Sequence, residues 1–200
     1  MAELAELAVK LTDEVNDVYE RQEMINGKIY MQAACSATNH NRIVRNLSAK
    51  FYTYLRGKKC ESFGENMKVV LNNKNYFIPD LMIVCDPDKI KDKFIDGAPD
   101  LVVEVLSPST NRNDRISKKY AYEKAGVREY WIISPNDKSV EVYLLQGDLL
   151  ILSKVYTLEN EDENMEKNIP ISFYDDFYHN VAEDSHLYRW GMNATSTEFT

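Results

Sequence analysis

Apolar residues recur along the chain with two distinct periods. Ile43, Leu47, Phe51 and Leu55 repeat every four residues, with Val44 and Tyr54 beside them, which predicts a helix of about four turns. Gly57 ends it. Upstream, Leu4, Leu7, Val9, Leu11, Val15 and Val18 predict an amphipathic helix within residues 1–22. Asn26-Gly27 then separates Met24-Ile25 from the β-like run 28–31, the signature of a tight hairpin.

The middle of the chain carries strand-length runs rich in β-branched and aromatic residues, at 67–71, 76–85 and 101–106. The last is almost wholly apolar, as expected of a central strand buried on both faces. After Ser107-Pro108, Ser109 or Thr110 can cap a helix running to Ala125, with Gly126 placed to end it in the left-handed conformation. Residues 129–134 read as a strand again. Strand, helix and strand in this order predict a crossover unit with 101–106 and 130–133 parallel in one sheet. A hairpin follows, 140–145 and 149–156, turning at Gln146-Gly147-Asp148. A polar loop is expected at 157–168, a short docked element at 169–181 and a frayed end at 193–200. No internal repeat or dividing linker is visible, so residues 1–200 are expected to form one domain, with a core of about 15–180 and residues 1–14 as a helical extension.

Composition narrows the class. With 44% hydrophobic residues and only 7 Gly and 6 Pro in 200, the chain is expected to fold rather than remain disordered or fibrous. No apolar run reaches the roughly 20 residues of a membrane span, and no basic, apolar leader opens the sequence. Cytoplasm is the expected location. Cys35, Cys60 and Cys85, widely spaced and without a paired motif, read as buried thiols rather than a disulfide framework or zinc site.

The net charge of −8 is unevenly distributed. Residues 155–200 hold ten acids against Lys167 and Arg189, leaving the rest of the chain balanced. Within that body, residues 39–59 carry Arg42, Arg45, Lys50, Arg56, Lys58 and Lys59 with no acid, so a polyanion partner is compatible with the acidic total. Solvated helix faces would look the same.

Two carboxylates occupy positions where strands want apolar side chains. Glu104 interrupts the run 101–106, and burying it is costly without a cation. Asp80 stands at the mouth of the preceding apolar run. If those strands are neighbours, Asp80 and Glu104 can converge on one hard divalent ion; otherwise each caps a strand or pairs with a base. Asp114, Lys118 and Tyr122, spaced i, i+4, i+8, share one helix face from which Lys118 can reach back to the acids. Alternatively Asp114 and Lys118 form a solvated pair. His40 opens the basic helix. There is no P-loop, GxGxxG or HExxH motif.

The succession Pro79-Asp80, PDLVVEVLSPST (99–110), Asp114-x-x-x-Lys118-x-x-x-Tyr122 and AGVREYWIISP (125–135) resembles the Uma-two restriction endonuclease family, a branch of the PD-(D/E)XK nuclease superfamily. Glu23, in EMING, and His40 fit the same pattern. The resemblance implies an α/β, restriction-endonuclease-like core, a mixed β-sheet flanked by helices, here followed by a C-terminal hairpin. It also implies a divalent-metal phosphodiesterase site in which Asp80 and Glu104 bind Mg²⁺ or Mn²⁺. The superfamily places its lysine two residues after the acid, where this chain has Leu106; the helix residue Lys118 takes that role by resemblance. Glu23, His40, Asp114 and Tyr122 would support the site, and Arg42, Arg45 and Lys50 would contact the nucleic acid. The expected activity is endonucleolytic cleavage, with DNA as the expected substrate and a symmetric dimer as the state suited to cutting both strands. The rival reading is a non-catalytic nucleic-acid-binding or interaction protein that retains the nuclease fold.

Overall fold

The computed structural model describes residues 22–31, 37–64, 66–107 and 110–157. The expected helix within 1–22 lies outside them except for Gln22, which is in a strand; the expected elements at 158–200 and Cys35 also lie outside. In chain order the elements are β1 (Gln22–Ile25), β2 (Lys28–Met31), α1 (Thr38–Leu55), β3 (Glu61–Gly64), β4 (Lys68–Asn72), β5 (Asn75–Phe77), β6 (Leu81–Val84), β7 (Phe94–Asp96) and β8 (Leu101–Val105). A π-helical turn (Asn113–Lys118), α2 (Lys119–Ala125), β9 (Glu129–Ser134), β10 (Ser139–Gln146) and β11 (Leu149–Thr157) follow.

The strands form two mixed sheets. One has the order β11-β10-β9-β8-β6-β3, the other β2-β1-β5-β4-β7. β8 and β9 are parallel, as the crossover pattern requires, and β6 runs antiparallel on the other side of β8. Asp80 immediately precedes β6, the strand that neighbours the one carrying Glu104. Asn26 (φ 52°) and Gly27 (φ 78°) both take left-handed conformations in the β1–β2 turn, which is why that dipeptide marks it.

Alternation along β8 sorts the two faces of the larger sheet. Leu101, Val103 and Val105 pack with Ile43, Leu47, Phe51 and Leu55 of α1. Val102 faces the opposite way, into a second core with Phe77, Tyr122, Tyr130 and Ile132. Glu104 shares the parity of Val102, so its carboxylate enters the layer between the larger sheet, the smaller sheet and the π-turn.

Four expectations are corrected. The run 76–85 is two strands in different sheets, because Ile78-Pro79-Asp80 carries the chain from one sheet to the other and Pro79 has no N–H for a ladder. β3 and β7, each short and mixed in composition, also form strands. The helix expected over 110–125 is not uniformly α-helical: residues 111–112 and Lys119–Ala125 are α-helical, but Asn113–Lys118 between them is a π-turn, and the helix ends before Gly126 (φ 86°). Finally, Cys60 and Cys85 are not free thiols; they form a disulfide. They flank β3 and β6, whose antiparallel register pairs Glu61 with Val84 and so brings the two cysteines face to face.

Candidate active site

The site lies where the two sheets meet the π-turn. Glu104, on β8, accepts hydrogen bonds at Oε1 from Lys118 Nζ (3.1 Å) and Tyr122 OH (3.0 Å). Lys118 closes the turn, and its ammonium also lies 3.0 Å from Glu23 Oε1 and 3.2 Å from Asp114 Oδ1. Glu23 projects from β1 in the smaller sheet and simultaneously accepts the Ile78 N–H at 2.9 Å. One ammonium thus joins three carboxylates from three separate elements.

The π-turn explains part of this convergence. With more residues per turn than an α-helix, it places residues four apart almost directly above one another, so Asp114 and Lys118 both point inward. Tyr130, on β9, donates to the Asp114 carbonyl at 2.9 Å. Arg115, on the outer side, donates to Glu141 Oε1 at 2.6 Å, while Tyr143 donates to Glu141 Oε2 at 2.6 Å. Burial, reinforced by the Glu141 contact, pushes the Tyr143 hydroxyl up to about 12.

Asp80 stands beside this cluster. Its Oδ2 accepts the N–H of Val105, the residue after Glu104, at 2.7 Å, and its Oδ1 lies 3.2 Å from His40 Nε2. Its side chain is 17% exposed against 4% for Glu104, so Asp80 is on the accessible side of the site. His40 reaches it from the first turn of α1. On that helix Arg42 and Arg45 are exposed and Lys50 is partly so, about 15 Å beyond His40 at 1.5 Å per residue.

Burial dominates the electrostatics. It raises the Glu104 carboxyl well above the carboxylate range; Lys118 opposes the rise, whereas Asp114, Asp80 and Glu23 add to it. Asp114 is raised mainly by burial too, with Lys118 and a Thr110 hydrogen bond acting the other way. Burial alone would lower Lys118, but Glu104, Asp114 and Glu23 together hold its ammonium well above the ordinary lysine range. Lys118 is therefore a fixed cation. Tyr122 and Tyr130 are held protonated, first by burial and then by Glu104.

Every sequence-selected residue of the centre is thus accounted for. Glu23, Glu104, Asp114, Lys118 and Tyr122 meet directly, and Asp80 and His40 form an adjoining pair. Asp80 is not bonded to Lys118, and the solvated Asp114–Lys118 pair is replaced by a buried one. Two contributors were not singled out by the sequence: Tyr130, present in the block AGVREYWIISP but with no role assigned to it, and the Ile78 N–H. Among the described residues no three His, Cys, Asp or Glu side chains are arranged to hold a metal ion. The Asp80 and Glu104 carboxylates fit in their chemistry instead: hard oxygens, two of them, suit Mg²⁺ or Mn²⁺ held with water and substrate phosphate.

The mixed β-sheet flanked by helices is the α/β, restriction-endonuclease-like fold. The chain belongs to the Uma2 family, described as "Putative restriction endonuclease", whose model matches residues 10–173. It is 35% identical over 159 residues to the uncharacterized protein slr1290 of Synechocystis, covering 77% of this chain and 80% of that one. It is also similar to the crystal structure of "a putative nuclease belonging to DUF820" from Anabaena variabilis, with a TM-score of 0.59 and 19% identity, over 82% of this chain and 97% of that chain. That likeness establishes the fold. No helix among the described residues is long and apolar enough to cross a membrane.

Proposed function

We propose that this chain is a divalent-metal-dependent endonuclease that hydrolyses phosphodiester bonds of nucleic acid, with DNA as its substrate. The observation that carries the reading is Lys118 Nζ at 3.1 Å from Glu104, on a strand directly hydrogen-bonded to the one that Asp80 opens. Asp80 and Glu104 would hold Mg²⁺ or Mn²⁺, which when bound polarises the phosphate and acidifies a water molecule. The chain's own residues do the rest. Lys118 supplies a positioned positive charge for the developing phosphorane, and Glu23 and Asp114 fix its direction. Tyr122 orients Glu104, His40 orients Asp80, and Arg42, Arg45 and Lys50 hold the sugar-phosphate backbone. A cytoplasmic setting and a symmetric dimer belong to the same proposal.

A binding module on the same fold is favoured by one observation: Lys118 is already engaged by three acids. The deciding assay incubates the protein with linear, nicked, branched and single-stranded DNA and with RNA, in Mn²⁺ or in EDTA. Mn²⁺-dependent cleavage lost in Asp80→Asn and Glu104→Gln supports the nuclease. Binding without cleavage of any substrate by the wild type overturns it in favour of the module.

A further inference from the structure

Lys118 can act as a positioned cation only if the segment that presents it is itself held in register with Glu104. That segment is a π-turn, a rare form found mostly as a single wide turn within an α-helix and frequently at functional sites. The carbonyl of Asp114, the second residue of the segment, receives the N–H of Lys119 five positions on, an N–H that also reaches the Ile116 carbonyl. The Asp114 carbonyl also accepts the Tyr130 hydroxyl at 2.9 Å, which uses the oxygen's second lone pair.

Tyr130 is also well placed as a ruler. On β9 it pairs with Val102, two positions before Glu104 on β8, so Tyr130 and Glu104 emerge on the same face of adjacent parallel strands. The backbone ladder fixes the separation of these two side chains. One then grips the start of the π-turn and the other receives the lysine at its end. The Tyr130 ring is fully buried and packs against Tyr122 at 5.2 Å between centroids, which leaves the hydroxyl little freedom to seek another acceptor.

We infer that Tyr130 is a positioning residue for the proposed reaction: its hydroxyl holds the π-turn open at Asp114 and so sets where the Lys118 ammonium stands relative to Glu104. The inference rests on the nuclease reading for its consequence in catalysis, but the geometry it asserts concerns this chain alone.

Tyr130→Phe tests it, because the variant keeps the ring packing and removes only the hydroxyl. Two measurements are made on the full chain. The first is Mn²⁺-dependent cleavage, where kcat should fall about 10–10²-fold with KM unchanged, the scale of a small misplacement of a catalytic group. The second is the side-chain NMR of ¹⁵N-lysine-labelled protein without metal, with the Lys118 ammonium signal assigned by its loss in Lys118→Arg. In Tyr130→Phe that signal should shift and exchange faster with water. Val140→Ala, a core change on β10 away from the site, controls for lost stability and should leave both readouts as in the wild type even where its melting temperature falls further. Wild-type kcat and an unmoved Lys118 signal in Tyr130→Phe would overturn the inference, as would equal losses in Val140→Ala. If the wild type cleaves nothing, the nuclease reading falls alone and the Lys118 signal still decides the positioning role.

Discussion

Lys118 Nζ lies 3.0 Å from Glu23 Oε1, although the two residues belong to different layers and stand 95 positions apart in the sequence. Glu23 also accepts the Ile78 N–H at the point where the chain passes from the smaller sheet to the larger. The lysine proposed to act on phosphate is therefore a structural tie as well. Its loss should register in folding before it registers in chemistry.

Lys118→Met leaves three buried carboxylates without their cation. We expect the metal-free protein to lose about 3–5 kcal/mol of stability, as when one partner of a buried pair is removed. At a temperature where the variant remains folded, cleavage should fall by roughly 10²–10³. Lys124→Met, on an exposed site of α2, should do neither. Lys119 is unsuitable as that control, since its ammonium donates to the Leu150 carbonyl at 2.8 Å. Denaturant titration and single-turnover cleavage give the two numbers.

The raised carboxyl groups predict a direction for stability against pH in EDTA. Glu104 and Asp114 hold their protons in the folded chain above the pH at which the unfolded chain releases them, around 4. From there upward the native state binds more protons than the unfolded one, so stability falls as pH rises until the folded groups have titrated. Glu104→Gln should flatten this decline and be as stable as the wild type, or more so, at neutral pH. Chemical denaturation from pH 4.5 to 8 measures it; a variant that steepens the decline would refute the assignment.

Arg42 and Arg45 are exposed on the helix whose first turn touches Asp80, and Lys50 lies farther along it. Each phosphate contact contributes about 0.9 to the slope of log binding constant against log salt on duplex DNA. Replacing all three by Ala should reduce that slope by roughly 2–3 if all three contact phosphate. An unchanged slope on duplex DNA, single-stranded DNA and RNA would remove α1 from the interface.

The Cys60–Cys85 bond closes a loop with a sequence separation of 25. Loop-closure entropy assigns it about 3.5 kcal/mol, so reduction should lower the melting temperature appreciably and Cys60→Ser should match the reduced wild type. The bond ties β3 to β6 at the end away from Asp80, so cleavage measured well below the melting transition should be nearly unaffected. In a reducing cytoplasm the reduced form would be the working one.

Much of the larger sheet was readable because its signals are local. The two-faced burial of β8, the Gly126 stop and the start of β9 each depend on a few adjacent residues, and their order alone dictates a right-handed crossover. The Asn26-Gly27 and Gln146-Gly147-Asp148 hairpins were legible for the same reason. By contrast, β3 and β7 have no hydrophobic period of their own and are strands only because neighbours offer them a ladder.

The chain's own pattern determined which residues are chemically out of place: Glu104 in an apolar strand, Asp80 after Pro79, Asp114 and Lys118 one turn apart. It determined the family as well, through blocks of sequence in a fixed order. What only the tertiary structure decided is who answers whom. Glu23 joins Lys118 because a second sheet folds over the first, His40 rather than Lys118 pairs with Asp80, and Cys60 meets Cys85 through a strand with no signal of its own. The physical reason is range. Periodicity and capping act over a turn or two of chain, whereas the cost of burying an unpaired charge is met by whichever partner packing brings within about 3 Å, however distant in sequence.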